Sequence, residues 1–286
     1  MTQPDSQPRD LTGKVAVVTG GASGIGRGIG AELVERGCRV VLADIDEAAV
    51  AATAAELGAV GLAVDVTDPA DVARLADRVV AEFGAVHILC NNAGVGPSGA
   101  VADLSLEDWR WIFDVNFFGV VHGTHAFLPH LRANGTWGHV VNTSSLSLLA
   151  PPPGVGSYVA TKAAVLGMSE VLATELAAEG VDIGVTALLP GPVTTNIRNS
   201  LRHRPTPAGE TALRNIDLGA ERTALRFIDP REVGMLVAES IEHNRLYAVT
   251  HDEWLPPVAQ RHEAIEESFA WVGRLLPSGV AAPGRA

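Results

Sequence analysis

Short runs of β-branched and other apolar residues alternate with longer, alanine-rich stretches from residue 14 onward. Such runs are typical of strands that are buried on both faces of a parallel sheet, with helices covering those faces. The pattern predicts seven strands, at 14–19, 39–43, 60–64, 86–90, 139–143, 183–189 and 245–250. We therefore expect an α/β protein whose seven-stranded parallel sheet is flanked by helices.

The same pattern indicates one domain, because no internal repeat, low-complexity tract or linker divides the chain of 286 residues. We predict a flexible N-terminus at 1–11, a single folded domain at 12–276 and a flexible tail at 277–286 that is rich in Pro, Gly and Ala. The long interruption at 194–227 predicts a substrate lid, since long insertions in compact domains are usually lids or binding loops.

Composition narrows the function. A net charge of −12 argues against nucleic acid as a partner, because affinity for the phosphate backbone comes from clustered Lys and Arg. The N-terminus has no signal-peptide pattern and no apolar run reaches membrane-spanning length, so we expect a cytoplasmic protein without a membrane partner. Cys38 and Cys90 form no CxxC motif and are interpreted as reduced thiols.

A glycine-rich stretch, TGGASGIG at 19–26, follows the first predicted strand and leads into a helical stretch. Glycines allow backbone N–H groups to approach a pyrophosphate, and the helix N-terminus favours negative charge there. A tight strand-to-helix turn is the alternative. Its position after the first strand, with an acid at the end of the second, favours a dinucleotide site.

That acid is Asp44, whose carboxylate can accept hydrogen bonds from adenosine-ribose hydroxyls and would repel a 2′-phosphate. The sequence therefore predicts NAD (NAD+/NADH) in preference to NADP. A helix cap is the alternative role for Asp44, although Asp46 could provide that cap equally well. Asp65 and Val66, after the third strand, are expected beside the adenine, or else Asp65 is only a turn residue.

The stretch SYVATKAAV at 157–165 holds a candidate acid/base pair. Tyr158 and Lys162 are four residues apart and so share one helix face. Only two of the 21 basic residues are lysines, and Lys162 is one of them. One cation at ~4 Å in an effective dielectric of ~20 supplies about 4 kcal/mol, which would lower a phenol pKa from about 10 to about 7. We expect Lys162 to activate Tyr158 in this way.

Several motifs together resemble the classical short-chain dehydrogenase/reductase family over about residues 12–250. They are TGGASGIG, Asp65, NNAG at 91–94, Asn116, the spacing of 13 between Ser145 and Tyr158, YVATK, and PGPVTT at 190–195. The resemblance implies a doubly wound Rossmann-type domain, a nicotinamide cofactor and a catalytic tetrad of Asn116, Ser145, Tyr158 and Lys162. It also implies a homotetramer or homodimer.

The resemblance further implies a role for each residue of the site. Ser145 would donate to the substrate oxygen, with Ser144 and Ser147 as rivals, and Asn116 would bind a water that relays protons to Lys162, a bend in the helix being its alternative role. The predicted cofactor-binding set is Gly20, Ser23, Gly24, Ile25, Gly26, Asp44, Asp65, Val66, Asn92, Ala93, Gly94, Tyr158, Lys162, Pro190, Gly191, Val193 and Thr195. Pro190 and Gly191 alternatively only turn the chain.

No metal site is expected, because the histidines at 122, 125 and 130 lack an HExxH motif or supporting ligands. The stretch LSLLAPPPGVG at 146–156 and the lid residues Ile197, Leu201 and Leu213 predict an apolar pocket. We therefore predict a small hydrophobic secondary alcohol or its ketone as substrate. The basic lid residues could instead meet an anionic substrate end or solvent; they are Arg198, Arg202, His203 and Arg204.

The segments IRNSLRHRP and NRLYAVTHDEW resemble a branch of the family that includes bacterial dehydrogenases acting on benzylic alcohols. Two other functions stay open. The epimerases and dehydratases of the extended branch also use a tyrosine and a lysine four residues apart, but typically with TGxxGxxG and a longer substrate domain. A catalytically silent NAD(H)-binding sensor would keep the fold and lose turnover.

Overall fold

The protein is described by a computed structural model that covers residues 7–205, 211–216 and 225–276. Within these ranges, seven parallel strands form one sheet in the order β3-β2-β1-β4-β5-β6-β7. The strands are β1 Val15–Thr19, β2 Arg39–Asp44, β3 Val60–Ala63, β4 Ile88–Asn91, β5 Gly138–Thr143, β6 Ile183–Leu189 and β7 Tyr247–Val249. This doubly wound, single-domain arrangement confirms the predicted fold class.

Helices cover both faces of the sheet. They are α1 Gly24–Glu35, α2 Glu47–Leu57, α3 Pro69–Phe83, α4 Leu106–Phe113, α5 Gly119–Ala133, α6 Gly156–Glu179, α7 Pro230–Glu242 and α8 Leu255–Leu275. Alternate residues of β1 face opposite cores: Ala16 and Val18 pack with α1 and α7, whereas Val15 and Val17 belong to the core that includes α3, α5 and α6. This two-sided burial explains why the strands are continuous apolar runs.

The strand order reverses between β1 and β4, and the loops at the carboxyl ends of these strands open a cleft there. Ligands bind open α/β sheets at such a switch point. The turn at Asp114–Phe118 is a π-helix that joins α4 to α5 beside this cleft. The fold therefore brings the glycine loop, the fourth-strand loop and the helices after it to one edge.

The structure describes residues 7–11 of the predicted N-terminal segment. Arg9 donates a hydrogen bond to the Gly138 carbonyl oxygen and pairs with Asp182, and Leu11 is buried. Arg9 and Leu11 therefore contact the folded domain, whereas the other described residues of this segment are exposed. Residues 1–6 and the predicted tail, 277–286, lie outside the described residues. Among the helices that are described, none has the length and apolar character needed to cross a membrane.

Candidate active site

Several glycines in the loop that joins β1 to α1 and in the first turn of α1 have no space for a larger side chain. Gly20 and Gly24 have φ of 65° and 52°, in the left-handed region that glycine enters without strain. A Cβ at Gly26 would lie 2.1 Å from the carbonyl oxygen of Gly20. The side chain of Ser23 makes no capping hydrogen bond to α1. The first N–H groups of α1 are therefore available to an anion, which fits the diphosphate of a dinucleotide.

Asp44 stands at the end of β2 and lines the cleft. Its two carboxylate oxygens accept N–H bonds from Ala22 at 3.1 Å and from Asp46 at 3.2 Å. The cap of α2 is Asp46, which accepts the N–H of Ala49. Capping therefore does not explain Asp44, and its held carboxylate fits the ribose of a dinucleotide.

The acid after β3 is a turn residue that also lines the cleft. Asp65 accepts hydrogen bonds from the N–H and the hydroxyl of Thr67, which is an Asx turn. Asp65 and Val66 also line the cleft. The turn thus sets the position of both residues at the end of the cleft nearest β3.

The NNAG loop is tied to the glycine loop through Thr19. The hydroxyl of Thr19 accepts the N–H groups of Asn92 and Ala93, at 2.9 and 3.1 Å, and the side chain of Asn92 donates to the carbonyl oxygen of Thr19. A Cβ at Gly20 would lie 2.8 Å from the Cα of Ala93. The two loops therefore form one wall with a surface largely of backbone.

Asn116 is fully buried in the π-helical turn. Its side-chain oxygen accepts the N–H of Val95 at 2.7 Å, and its nitrogen donates to the carbonyl oxygen of Val95 and to the hydroxyl of Thr161. These bonds hold the segment after NNAG against α6. Both side-chain amide atoms of Asn116 therefore have partners within the protein, which gives the residue a positioning role, and the water relay stays a prediction.

The structure separates Ser145 from its rivals. The hydroxyl of Ser144 donates to the carbonyl oxygen of Lys162 at 2.7 Å, which turns it toward the α6 backbone. The hydroxyl of Ser145 donates to the carbonyl oxygen of Pro190 at 3.4 Å and lies beside the phenol of Tyr158, and Ser147 donates to Ser145 at 2.9 Å. Ser145 is thus the hydroxyl beside the phenol, and Ser147 orients it.

Tyr158 and Lys162 are close, but their contact differs from the prediction. The Nζ of Lys162 donates to the carbonyl oxygen of Thr143 at 2.8 Å and lies 5.6 Å from the centroid of the Tyr158 ring. Burial raises the pKa of Tyr158, and the hydrogen bond with Ser145 opposes this rise. Burial lowers the pKa of Lys162 to about 8. In this geometry the ammonium of Lys162 therefore has a carbonyl partner, and the activation of the phenol by Lys162 stays a prediction.

Some residues of the PGPVTT loop after β6 line the cleft, and others pack into the protein interior. Pro190 and Thr195 line the cleft. A Cβ at Gly191 would lie 2.6 Å from the Nδ1 of His251, and Val193 is buried and pairs with Ile228. Gly191 and Val193 therefore do not line the cleft, and their contacts with the protein interior hold the loop in place.

The cleft has a volume of about 900 Å³. Most predicted site residues line it: Gly20, Ser23, Gly24, Ile25, Asp44, Asp65, Val66, Asn92, Ala93, Gly94, Tyr158, Lys162, Pro190 and Thr195. The predicted residues outside this lining are Gly26, Asn116, Ser145, Gly191 and Val193. Each of these five supports a residue or loop that does line the cleft.

The apolar substrate wall differs from the one expected. Leu146 and Leu148 turn into the core, where they pack with Leu189, because a 3₁₀ turn follows β5 directly. Leu201 and Leu213 pack into another small core around Ile112. The apolar side chains that line the cleft beyond Tyr158 are instead Val95, Trp111, Val115 and Ile197. Of these four, only Ile197 was predicted.

The described part of the lid is fastened by Asp108, which sequence reasoning missed. Asp108 is fully buried at the start of α4 and accepts hydrogen bonds from Arg204 at 2.7 Å and Thr211 at 2.8 Å. These bonds hold the pKa of Asp108 below its ordinary value although burial acts to raise it. The capping box Ser105–Asp108 was the available sequence signal. Arg204 therefore has a carboxylate partner within the protein.

Arg202, His203 and Arg204 line the cleft, and Arg198 does not. Burial and the neighbouring Arg202 lower the pKa of His203, while Asp44 and Asp46 act to raise it. The lid thus extends over the end of the cleft that holds Asp44.

Comparison with known proteins identifies the family to which the chain belongs. The family model described as "short chain dehydrogenase" matches residues 14–206. The C alpha-dehydrogenase of Sphingobium sp. is 32% identical over 271 residues, covering 92% of this chain and 88% of that protein. The 1-deoxy-11-beta-hydroxypentalenate dehydrogenase of Streptomyces avermitilis is 38% identical over 210 residues, covering 71% and 77%.

A solved short chain dehydrogenase/reductase from Burkholderia phymatum, in complex with NAD, is similar with a TM-score of 0.85. It is 36% identical, and the match covers 97% of this chain and 100% of that one. The chain therefore belongs to the short-chain dehydrogenase/reductase family. It is an oxidoreductase of a family that uses nicotinamide cofactors.

Proposed function

We propose that this protein is an NAD(H)-dependent dehydrogenase that interconverts a hydrophobic secondary alcohol and its ketone, with Tyr158 as general acid/base. The observation that carries the proposal is that Tyr158 and Lys162 line the same cleft as the glycine loop and Asp44, with Ser145 beside the phenol. Val95, Trp111, Val115 and Ile197 give that end its apolar surface. Membership of the family supports the reaction class.

A bound nicotinamide cofactor supplies the hydride acceptor or donor. The chain itself must place the carbinol oxygen and move its proton. The Ser145 hydroxyl lies beside the Tyr158 phenol, so a substrate oxygen placed between them can accept a hydrogen bond from Ser145 and exchange its proton with Tyr158. The raised pKa of Tyr158 keeps the phenol protonated at neutral pH. This state favours proton donation to a ketone.

The first experiment follows NADH and NADPH by absorbance with a panel of hydrophobic secondary alcohols and ketones that includes aryl carbinols and terpenoid alcohols. Tyr158→Phe should lose turnover by about 10²–10⁴-fold, the usual contribution of a positioned acid/base, and should bind NADH normally. Tyr247→Phe is the matched control, because this other tyrosine is exposed and its hydroxyl donates to Glu170.

Full activity in Tyr158→Phe would refute the mechanism. No turnover across the panel, together with tight NADH binding, would favour the catalytically silent sensor.

The preference for NAD over NADP rests on Asp44. Its carboxylate lines the cleft, and Arg27, the basic residue nearest the glycine loop in sequence, pairs with Glu56 at the surface. Asp44→Ala should raise NADPH affinity relative to NADH by about tenfold, since a like-charge repulsion of about 1.4 kcal/mol is removed. Titration of both dinucleotides by protein fluorescence measures the ratio. An unchanged ratio would assign the preference to another residue, such as Arg202 or His203, which also line the cleft.

A further inference from the structure

The last helix, α8, has almost no cover from the described part of the chain. Val258 is half-buried, and every residue from Ala259 to Leu276 is exposed. The exposed side chains include Phe269, with 76% of its surface accessible, and Leu276, with 66%. No ion pair among the described residues involves α8. A helix in water gains most of its stability by packing an apolar face, so α8 lacks its main source of stability in a single copy.

The exposed side chains follow a regular spacing. One stripe alternates steps of four and three residues; it consists of Val258, His262, Ile265, Phe269 and Val272 of α8, followed by Leu276, the residue that ends the helix. This is the 3.5-residue period of a coiled-coil seam, which two helices bury by packing against each other. We call these six residues the α8 seam. Leu275, 59% accessible, widens the seam at its end.

Charges beside the seam favour one orientation. With Phe269 and Ile265 at the two core positions of the heptad, Arg261 takes the g position and Glu266 the e position five residues later. In a parallel pair of identical helices, g and the following e of the partner are neighbours, so Arg261 meets Glu266 twice. The antiparallel arrangement pairs g with g and e with e, and offers no such opposite charges.

A membrane surface fits this helix poorly. Interfacial helices carry Lys and Arg on their polar face, whereas α8 carries Glu263, Glu266 and Glu267 against Arg261 and Arg274. The whole chain has a net charge of −12. An anionic lipid surface would therefore repel the helix, and a self-complementary seam points to a second copy of this chain.

We propose that α8 is a self-association element, which pairs in parallel with α8 of a second copy across a two-fold axis and buries the α8 seam. The contact is additional to any other interface of the protein. It does not depend on the proposed catalytic chemistry, because the α8 seam contains no residue of the cleft.

Cysteine cross-linking in the full-length chain tests the pairing. Ile265→Cys places a thiol in the α8 seam, and Glu267→Cys, two residues away, places one on the opposite, polar side. The native Cys38 and Cys90 are buried, and burial raises the pKa of both thiols, so they react slowly. After mild oxidation with copper phenanthroline, Ile265→Cys should give a covalent dimer on a non-reducing gel at several-fold the yield of Glu267→Cys. Equal yields, or no dimer from Ile265→Cys, would overturn the proposal.

A second measurement uses sedimentation equilibrium of Phe269→Glu with Glu267→Ala as the control. A carboxylate in the α8 seam should weaken self-association at least tenfold and leave NADH binding unchanged, while the control associates as the unaltered protein does. Because another interface can also hold copies together, the decisive comparison adds Phe269→Glu to the Ile265→Cys variant: an undiminished yield of covalent dimer there, or an unaltered protein that is monomeric at micromolar concentration, would show that α8 does not pair.

Discussion

The two walls of the cleft are built in different ways. The wall nearest β1 and β4 is made of backbone. Gly20, Gly26 and Ala93 approach one another so closely that a methyl group added to either glycine would collide with a neighbour. The lid wall is held by long side chains that reach across the fold, chiefly the Arg204–Asp108 pair. The first wall therefore depends on local chain geometry, and the second on contacts between residues far apart in sequence.

This difference separates two kinds of specificity. A backbone wall presents N–H groups at positions that no single side chain controls, which suits the invariant diphosphate of a dinucleotide. A wall held by side chains can be moved by one substitution, which suits a family that binds many substrates on one fold.

The substitution with the largest expected effect on the backbone wall is Gly26→Ala. Its Cβ would lie 2.1 Å from the carbonyl oxygen of Gly20, so the glycine loop must open. We expect NADH affinity to fall about 100-fold, equivalent to about 2.7 kcal/mol, with a loss of unfolding free energy of about 1–3 kcal/mol. Gly167→Ala is the matched control, because it lies in α6 with no atom near its Cβ, and it should leave NADH binding unchanged. Isothermal titration with NADH measures both; normal affinity in Gly26→Ala would refute the steric argument.

The lid wall is tested by Asp108→Asn. The amide of asparagine keeps the shape of the side chain but removes the negative charge. In the unaltered protein the carboxylate pairs with Arg204 and accepts a hydrogen bond from the Thr211 hydroxyl. We expect the KM of the ketone or alcohol substrate to rise about tenfold, about 1.4 kcal/mol, while the Kd of NADH changes by less than a factor of two. Asp103→Asn, an exposed acid on the preceding turn, should change neither. Equal losses of NADH and substrate affinity would mean that Asp108 supports the whole cleft.

Lys162 lies between the two walls, and its burial should reduce stability. Because its folded pKa, about 8, is below the ordinary 10.5, the unfolded chain binds more protons between these values and stability rises with pH in that window. Lys162→Met removes the buried charge and also the hydrogen bond to Thr143, so it should raise the unfolding free energy at pH 7 by a net amount of about 1–2 kcal/mol. It should also abolish turnover. The increase of stability with pH between pH 8 and 10.5 should become flatter in this variant. Urea unfolding at several pH values measures this, with Lys14→Met as control. A less stable Lys162→Met would show that the bond to Thr143 outweighs the burial of the charge.

Much of the site could be predicted because its signals are local. Asp44 ends a strand, the glycines follow β1, and Tyr158 and Lys162 share a helix face, so each position is set by its own element. The predictions for Asn116 and for the Tyr158 pKa depended on contacts with Val95 and Thr143, which no local pattern contains. The expected leucine wall was wrong for a related reason: Leu146 had an apolar partner, Leu189, on a neighbouring strand.

The sequence by itself therefore determined the order of strands and helices, the glycine loop and the acid/base residues, because periodicity, turn chemistry and spacing act within a few residues. Only the tertiary structure decided which serine lies beside Tyr158, which side chains line the apolar end, how Asp108 fastens the lid, and that the described part of the chain leaves most of α8 exposed. These features depend on which distant side chains meet once the sheet is assembled, and burial then sets their pKa values and their partners.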